Sequence, residues 1–184
     1  MPHLDPCQFR AMHPHETLIR EFYAAFARRD AEGMARCYHP EVFFSDTVFP
    51  RLRGAEAGDM WRMLLSRATD LEVTLDEASA DADGGRARWT ARYTFSRTGR
   101  KVVNRIAALF AFRDGLIVRH YDSFPFWPWA AQALGPVGKL LGWLPPLKWK
   151  VRKDAAKGLE RFRESRPSPR PSPRGEGEAS GRGG

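Results

Sequence analysis

The strongest constraint on the fold is a change of hydrophobic period partway along the chain. Leu18, Ile19, Phe22, Tyr23 and Phe26 recur at helical spacing, and so do Met60, Trp61, Leu64, Leu65 and Ala68. Each set therefore lines one face of a helix. From residue 88 the period drops to two. Trp89, Ala91, Tyr93 and Phe95 alternate with Arg88, Thr90, Arg92 and Thr94, as in a strand with one buried and one wet face. Asp83-Gly84-Gly85, Thr98-Gly99 and Asp114-Gly115 punctuate this part as hairpin turns. Strands are expected near 41–47, 70–80, 86–97, 101–113 and 116–123. Asp30 opens a short second helix, Gly54 offers a start for the third, and Asp46 ends a strand as a lone carboxylate amid apolar residues. Helices followed by an antiparallel meander make an α+β domain. A long curved sheet wrapped around helices forms a cone whose open mouth suits a small molecule.

The chain has 184 residues, 42% of them hydrophobic, which is enough for one domain with a core. Its expected divisions are a flexible N-terminus (1–14), the cone (15–124), an aromatic-rich and partly helical extension (125–165), and a disordered low-complexity tail (166–184). Residues 150–184 hold ten Lys/Arg against five Asp/Glu, so five of the eight net positive charges lie there. The basic balance thus belongs largely to the C-terminal part, and no specific nucleic-acid binding is expected of the folded part. Cys7 and Cys37 stand alone, which points to a reducing, cytoplasmic setting without disulfides. Residues 1–15 are polar and broken by Pro2, Pro6 and Pro14, unlike a signal peptide, and Met12 offers an alternative start. His3, His13 and His15 do not read as a metal site, and His39-Pro40 reads as the end of the second helix. With no glycine-rich phosphate loop, nucleophile elbow or Cys/His metal spacing, no metal and no cofactor is expected.

Residues 124–153 carry Trp127, Trp129, Trp143 and Trp149 beside a basic run, interrupted by prolines and glycines too often for a membrane span. The expectation is that these aromatics pack across the cone mouth as a lid or against a second subunit. An interfacial membrane contact is the other reading. A short polar helix is expected over 154–164.

Residues 22–46, the Gly54 helix start, and the closing Phe110-Ala-Phe-Arg-Asp-Gly-Leu-Ile-Val-Arg-His-Tyr-Asp122 resemble the nuclear transport factor 2-like superfamily, in particular its SnoaL-like, ketosteroid isomerase-like members. The resemblance covers roughly residues 15–124. It implies a cone of N-terminal helices packed in a strongly curved antiparallel sheet, a small apolar organic ligand, and a homodimer paired through its sheets, with Arg88, Thr90, Arg92 and Thr94 solvated or in that contact. Against ketosteroid isomerases, Asp46 falls on the general base and Tyr38 on a supporting tyrosine. Phe22 and Ala108, however, stand where the oxyanion donors would be. Against limonene epoxide hydrolases, Arg92 matches the central arginine, but Thr94 and His120 replace its aspartates, and Phe44 and Asp46 replace the tyrosine and asparagine that hold water. Neither donor set is complete, and donors aimed at developing charge usually dominate such catalysis, so neither of those reactions is expected.

What remains is Asp46 with His120 as the catalytic candidates. His120 and Asp122 are two apart on the last strand and share a face, which the resemblance turns inward with Val118 and Phe124. The candidate lining is Phe22, Tyr38, Phe44, Trp61, Ile106, Ala108, Phe110, Val118, Asp122 and Phe124. The leading expectation is an isomerase, cyclase or hydrolase using an aspartate base on a small apolar substrate. Its rivals are a non-catalytic ligand-binding protein and a peripheral membrane protein. The plain alternatives for the two residues are an interior hydrogen-bonded histidine and an aspartate capping a turn before Pro50.

Overall fold

The computed structural model describes residues 12–165. The expectations for residues 1–11 and for the tail from 166 lie outside the described residues. Helix α1 (Pro14–Ala27) begins with His13, whose ring accepts the His15 amide, and with proline in its first turn, where a missing N–H costs nothing. It buries Ile19, Phe22, Tyr23 and Phe26. Asp30 caps α2 (Ala31–Arg36) by accepting the Gly33 amide at 2.7 Å. After β1 (Tyr38–Ser45) and β2 (Leu52–Arg53) comes Gly54 with φ 50°, where a side chain would be strained and would crowd the Pro40 carbonyl at 3.0 Å. That left-handed residue turns the chain into α3 (Ala55–Arg67).

Four strands follow: β3 (Glu72–Ala80), β4 (Gly85–Phe95), β5 (Arg100–Arg113) and β6 (Leu116–Ser123). Asp114 and Gly115 have φ of 53° and 74°, the two-residue turn whose twist matches a hairpin. The six-stranded sheet is curved and unclosed, with order β2-β1-β6-β5-β4-β3. It is mixed: β1 lies parallel to β6, and the other pairings are antiparallel. Tight turns force β3–β6 to alternate in direction. β1 meets β6 only after the whole meander, so no turn sets its sense.

The main core joins α1 and α3 to the inward residues of the sheet, among them Trp89, Ile106, Ala108, Phe110 and Ile117. Burying each such large side chain contributes about 2–3 kcal/mol. Val118 departs from the expected alternation. The β5–β6 register shifts between Ala111↔Arg119 and Phe112↔Ile117, so Val118 is the extra residue of a bulge. Ile117 is fully buried in its place.

Beyond the sheet the chain forms three helices: α4 (Phe126–Ala133), α5 (Pro136–Leu141) and α6 (Pro145–Glu164). The polar helix expected over 154–164 therefore starts earlier, at Pro145. The proline pair that reads as a break occupies the first turn of α6, where proline is tolerated. Phe126, Trp129, Ala130 and Ala133 of α4 pack with Val102 in a second cluster, against Tyr93, Phe95, Phe124 and Val151. Further along α6, Leu159 joins the main core and Arg163 pairs with Glu56 and Asp59 of α3.

Candidate functional site

Inside the cone, inward positions of β1, β4 and β6 bring polar groups together among aromatic rings. His120 is wholly buried, with the rings of Phe22, Phe44 and Phe110 centred 5.4, 5.1 and 4.4 Å from its own. Its Nδ1 lies 2.8 Å from the Tyr38 hydroxyl and its Nε2 lies 3.1 Å from the buried Asp122 carboxylate. The Trp61 indole donates to Tyr38 at 2.9 Å, and the Trp89 indole donates to Asp122 at 3.3 Å. One assignment of protons satisfies this set. Trp61 donates to Tyr38, Tyr38 donates to Nδ1 of a neutral imidazole, and the imidazole Nε2–H donates to ionised Asp122. Burial, foremost, holds the Tyr38 phenol well above its usual range, and the charge of Asp122 adds to this while the Trp61 bond opposes it. Tyr38 therefore stays a donor.

The Tyr23 hydroxyl belongs to the same interior, yet it is the buried side-chain polar atom without a hydrogen-bond partner among the described residues. Burial raises its pKa, with Asp122 as the next cause, and the Trp89 indole nearby opposes this; that N–H points at Asp122, and the Tyr23 proton has no acceptor. Leaving such a group dry and unpaired costs about 1–3 kcal/mol.

Asp46 lies at the end of β1 and does not pair with His120. Its Oδ1 accepts the Val48 amide at 2.7 Å and also the Phe49 amide, closing a turn. Burial nonetheless raises its pKa to about 7; the Phe49 amide opposes this most, Asp122 adds to it, and Arg152 opposes it weakly. Side chains of the C-terminal helices lie close by. Trp129 of α4 donates to the Tyr93 hydroxyl at 2.9 Å, and the Tyr93 pKa is raised in part by Asp46. Arg152 of α6 donates to the Thr47 carbonyl at 3.0 Å, and the Thr47 hydroxyl donates to the Phe124 carbonyl at 2.9 Å. A carboxylate that titrates near neutrality can take up and return a proton.

Of the expected lining, Phe22, Tyr38, Phe44, Trp61, Ile106, Ala108, Phe110 and Asp122 are buried in the interior, and Phe124 packs half-buried at its edge. Ala108 faces Asp122 across the β5–β6 ladder. Arg92 is exposed, on the face away from this site. Tyr23, Trp89, Tyr93, Trp129 and Arg152 join the site without having been expected there. The inward alternation of β4 could have marked Trp89 and Tyr93. Nothing local marks Arg152, 105 residues from its partner Thr47.

In this conformation aromatic rings fill the interior. A hollow of about 650 Å³ is lined by α6 residues 149–157, and one of about 580 Å³ by β3–β5 residues including Arg86, Arg88 and Leu109. Neither is lined by Asp46 or His120. Among the described residues no group of three His, Cys, Asp or Glu side chains is arranged to hold a metal ion, and no helix is long and apolar enough to cross a membrane.

A family model described as the SnoaL-like domain matches residues 19–120. No curated protein matches the chain significantly in sequence. Among solved structures, TerC co-crystallised with polyporic acid is 20% identical with a TM-score of 0.57, over 67% of this chain and 100% of its own. An LEH-like epoxide hydrolase of M. tuberculosis is 18% identical with a TM-score of 0.57, over 70% of this chain and 95% of its own. A protein of ketosteroid isomerase-like fold from Catenulispora acidiphila, in complex with trimethylamine, is 14% identical with a TM-score of 0.57, over 65% and 93%. At these identities the likeness is one of fold.

Proposed function

The chain belongs to the SnoaL-like domain family, and on that premise we propose that it binds a small, mostly apolar organic molecule inside the cone and acts on it by general acid–base chemistry. The observation that carries this reading is the set of polar groups in the cone: half-buried Asp46, buried Asp122 and the Tyr23 hydroxyl that lacks an acceptor. Polar groups cost stability in an aromatic interior unless they are satisfied. A ligand oxygen accepting from Tyr23 satisfies the one that is not.

Asp46 is the base in this reading. Near pH 7 a good fraction of it is ionised while its conjugate acid can return the proton, as isomerisation, cyclisation or water attack requires. His120 is fully engaged by Tyr38 and Asp122, so its part is to orient Asp122. Direct proton transfer at His120 would first break one of those bonds. Entry of the ligand requires α4 to move, because Phe126 and Trp129 cover Val102, Tyr93 and Phe124. The neighbour crystallised with polyporic acid supports a ligand of this class, as does the family's cone.

Native mass spectrometry of the freshly purified full chain tests the binding, and any compound that travels with it is then offered to wild type and Asp46→Asn. The expected result is binding by both and turnover by wild type alone. Turnover by Asp46→Asn removes Asp46 as base. Binding without turnover in either protein leaves a carrier, the rival reading favoured by the absence of donors at Phe22 and Ala108.

A further inference from the structure

The aromatic extension divides into two halves with opposite surroundings. Phe126 and Trp129 face inward and are buried. Leu140, Trp143 and Trp149 keep 70%, 68% and 74% of their surface exposed, and Trp127, Val137 and Leu141 are exposed beside them. These six lie within 23 residues of chain, whereas the other exposed large apolar residues are scattered over the cone. An apolar concentration of this kind marks an interaction surface.

The patch is rigidly built. A Cβ on Gly138 would sit 1.8 Å from the Ala130 carbonyl, and one on Gly142 would sit 2.6 Å from the Trp127 ring. α4 and α5 are therefore in backbone contact, and their outer side chains have no room to fold inward. The Trp127 indole donates to the Lys139 carbonyl at 3.1 Å and the Trp143 indole donates to the Leu140 carbonyl at 3.0 Å. Both rings are thus fixed with apolar faces outward. Residues 126–153 contain five basic side chains, Lys139, Lys148, Lys150, Arg152 and Lys153, and no acidic one; Asp154, which follows, pairs with Arg97 and loosely with Lys150. Trp149 and Lys153 are one turn apart on α6 and share its outer stripe with Lys150.

We propose that the face formed by α4, α5 and the start of α6 docks on an anionic lipid surface, with Trp127, Leu140, Trp143 and Trp149 entering the headgroup–acyl boundary and Lys139, Lys150 and Lys153 meeting lipid phosphates. Tryptophan beside lysine around aliphatic residues is the chemistry of that boundary. A second copy of the chain fits worse. A two-fold contact would set the same lysines against each other, and the centres of protein interfaces are depleted of lysine. A nucleic-acid strand could stack on the exposed indoles, but it would leave the apolar Val137, Leu140 and Leu141 between them without a partner. On such a surface α4 would lie against the bilayer, which places the covered mouth of the cone where an apolar ligand is most concentrated.

The test is co-sedimentation of the full chain with phosphatidylcholine vesicles, with and without phosphatidylserine, alongside tryptophan quenching by brominated acyl chains. The expected result is binding to serine-containing vesicles that weakens as salt rises, with quenched fluorescence. Lys139→Gln, Lys150→Gln and Lys153→Gln together should weaken binding about a hundredfold. Leu140→Ser with Trp143→Ser and Trp149→Ser should abolish it. All six side chains are exposed, so an unchanged circular dichroism spectrum and melting temperature confirm folding. Leu109→Ser with Tyr121→Ser, exposed on the outer sheet face, should leave binding intact. Failure of the full chain to sediment with anionic vesicles overturns the proposal, as does wild-type binding by the Ser variant.

Discussion

Tyr38 and His120, 82 residues apart in the chain, share a 2.8 Å hydrogen bond that ties the first long strand to the last inside a ring of aromatic side chains. With the Trp61 indole donating to the Tyr38 oxygen, the phenol proton is left to point at His120. The imidazole is then left with one proton, directed at Asp122. This order of bonds separates the groups that are satisfied from the Tyr23 hydroxyl, which finds no acceptor.

The two tyrosines should respond oppositely to loss of the hydroxyl. Tyr38→Phe leaves the Trp61 N–H and His120 Nδ1 unpaired in a dry interior, and should cost about 2–3 kcal/mol. Tyr23→Phe removes a hydroxyl that has no partner and should be neutral or stabilising by up to about 1 kcal/mol. Urea unfolding of the two variants measures both. A destabilised Tyr23→Phe would mean that its oxygen does have a partner.

Asp46 makes stability depend on pH. Its folded pKa near 7 lies above the usual 3.8, so between those values the folded chain holds a proton that the unfolded chain has released. The stabilisation is full below pH 4 and is lost as pH rises through 7. It amounts to about 4 kcal/mol at most, and to less where water reaches the half-buried carboxylate. Asp46→Asn keeps an acceptor for the Val48 and Phe49 amides and cannot ionise. Melting curves from pH 4 to 8 should therefore fall more steeply for wild type than for the variant. Parallel curves would show an ordinary carboxylate.

Trp129→Ala should uncover Asp46. The substitution removes the bond to Tyr93 and opens the second cluster, at a cost of about 3 kcal/mol. Water reaching the carboxylate should return its pKa toward the ordinary range, which carbon-detected NMR of the side-chain carboxyl can follow. An unchanged titration would mean that the burial comes from the cone alone.

Gly138→Ala should separate α5 from α4. The added methyl cannot fit against the Ala130 carbonyl, so α4 and α5 must part. Limited proteolysis should then cut within residues 126–142 while the sheet stays protected. Resistance equal to wild type would show that the contact can relax.

Much of the fold is legible in the chain. The period change separates helices from strands, Asp30 and Gly54 mark helix starts, and Asp114-Gly115 marks the last hairpin, because helix caps and left-handed turns depend on neighbouring residues alone. The inward side of Trp89 also follows from alternation, whereas that of His120 follows from the resemblance. The bulge that replaces Val118 with Ile117 does not, since an extra residue in a ladder shows only against its partner strand.

The site itself is a matter of distance across the fold. Alternation places His120 and Asp122 on one face, but the register of β1 against β6 selects Tyr38 as the partner of His120 over Asp46. The sequence presents Asp46 as a strand-end carboxylate in an apolar stretch; the amides of Val48 and Phe49 and the cover of Trp129 and Arg152 set its protonation. The division among the tryptophans of the extension is likewise tertiary: composition puts four in a row of helices, and only the packing of α4 on Val102 buries one and leaves three outside. Local pattern governs backbone conformation because it acts through adjacent residues. Hydrogen-bond partners and dielectric surroundings are supplied by segments as far as 105 residues away, and these come together only when the chain has folded.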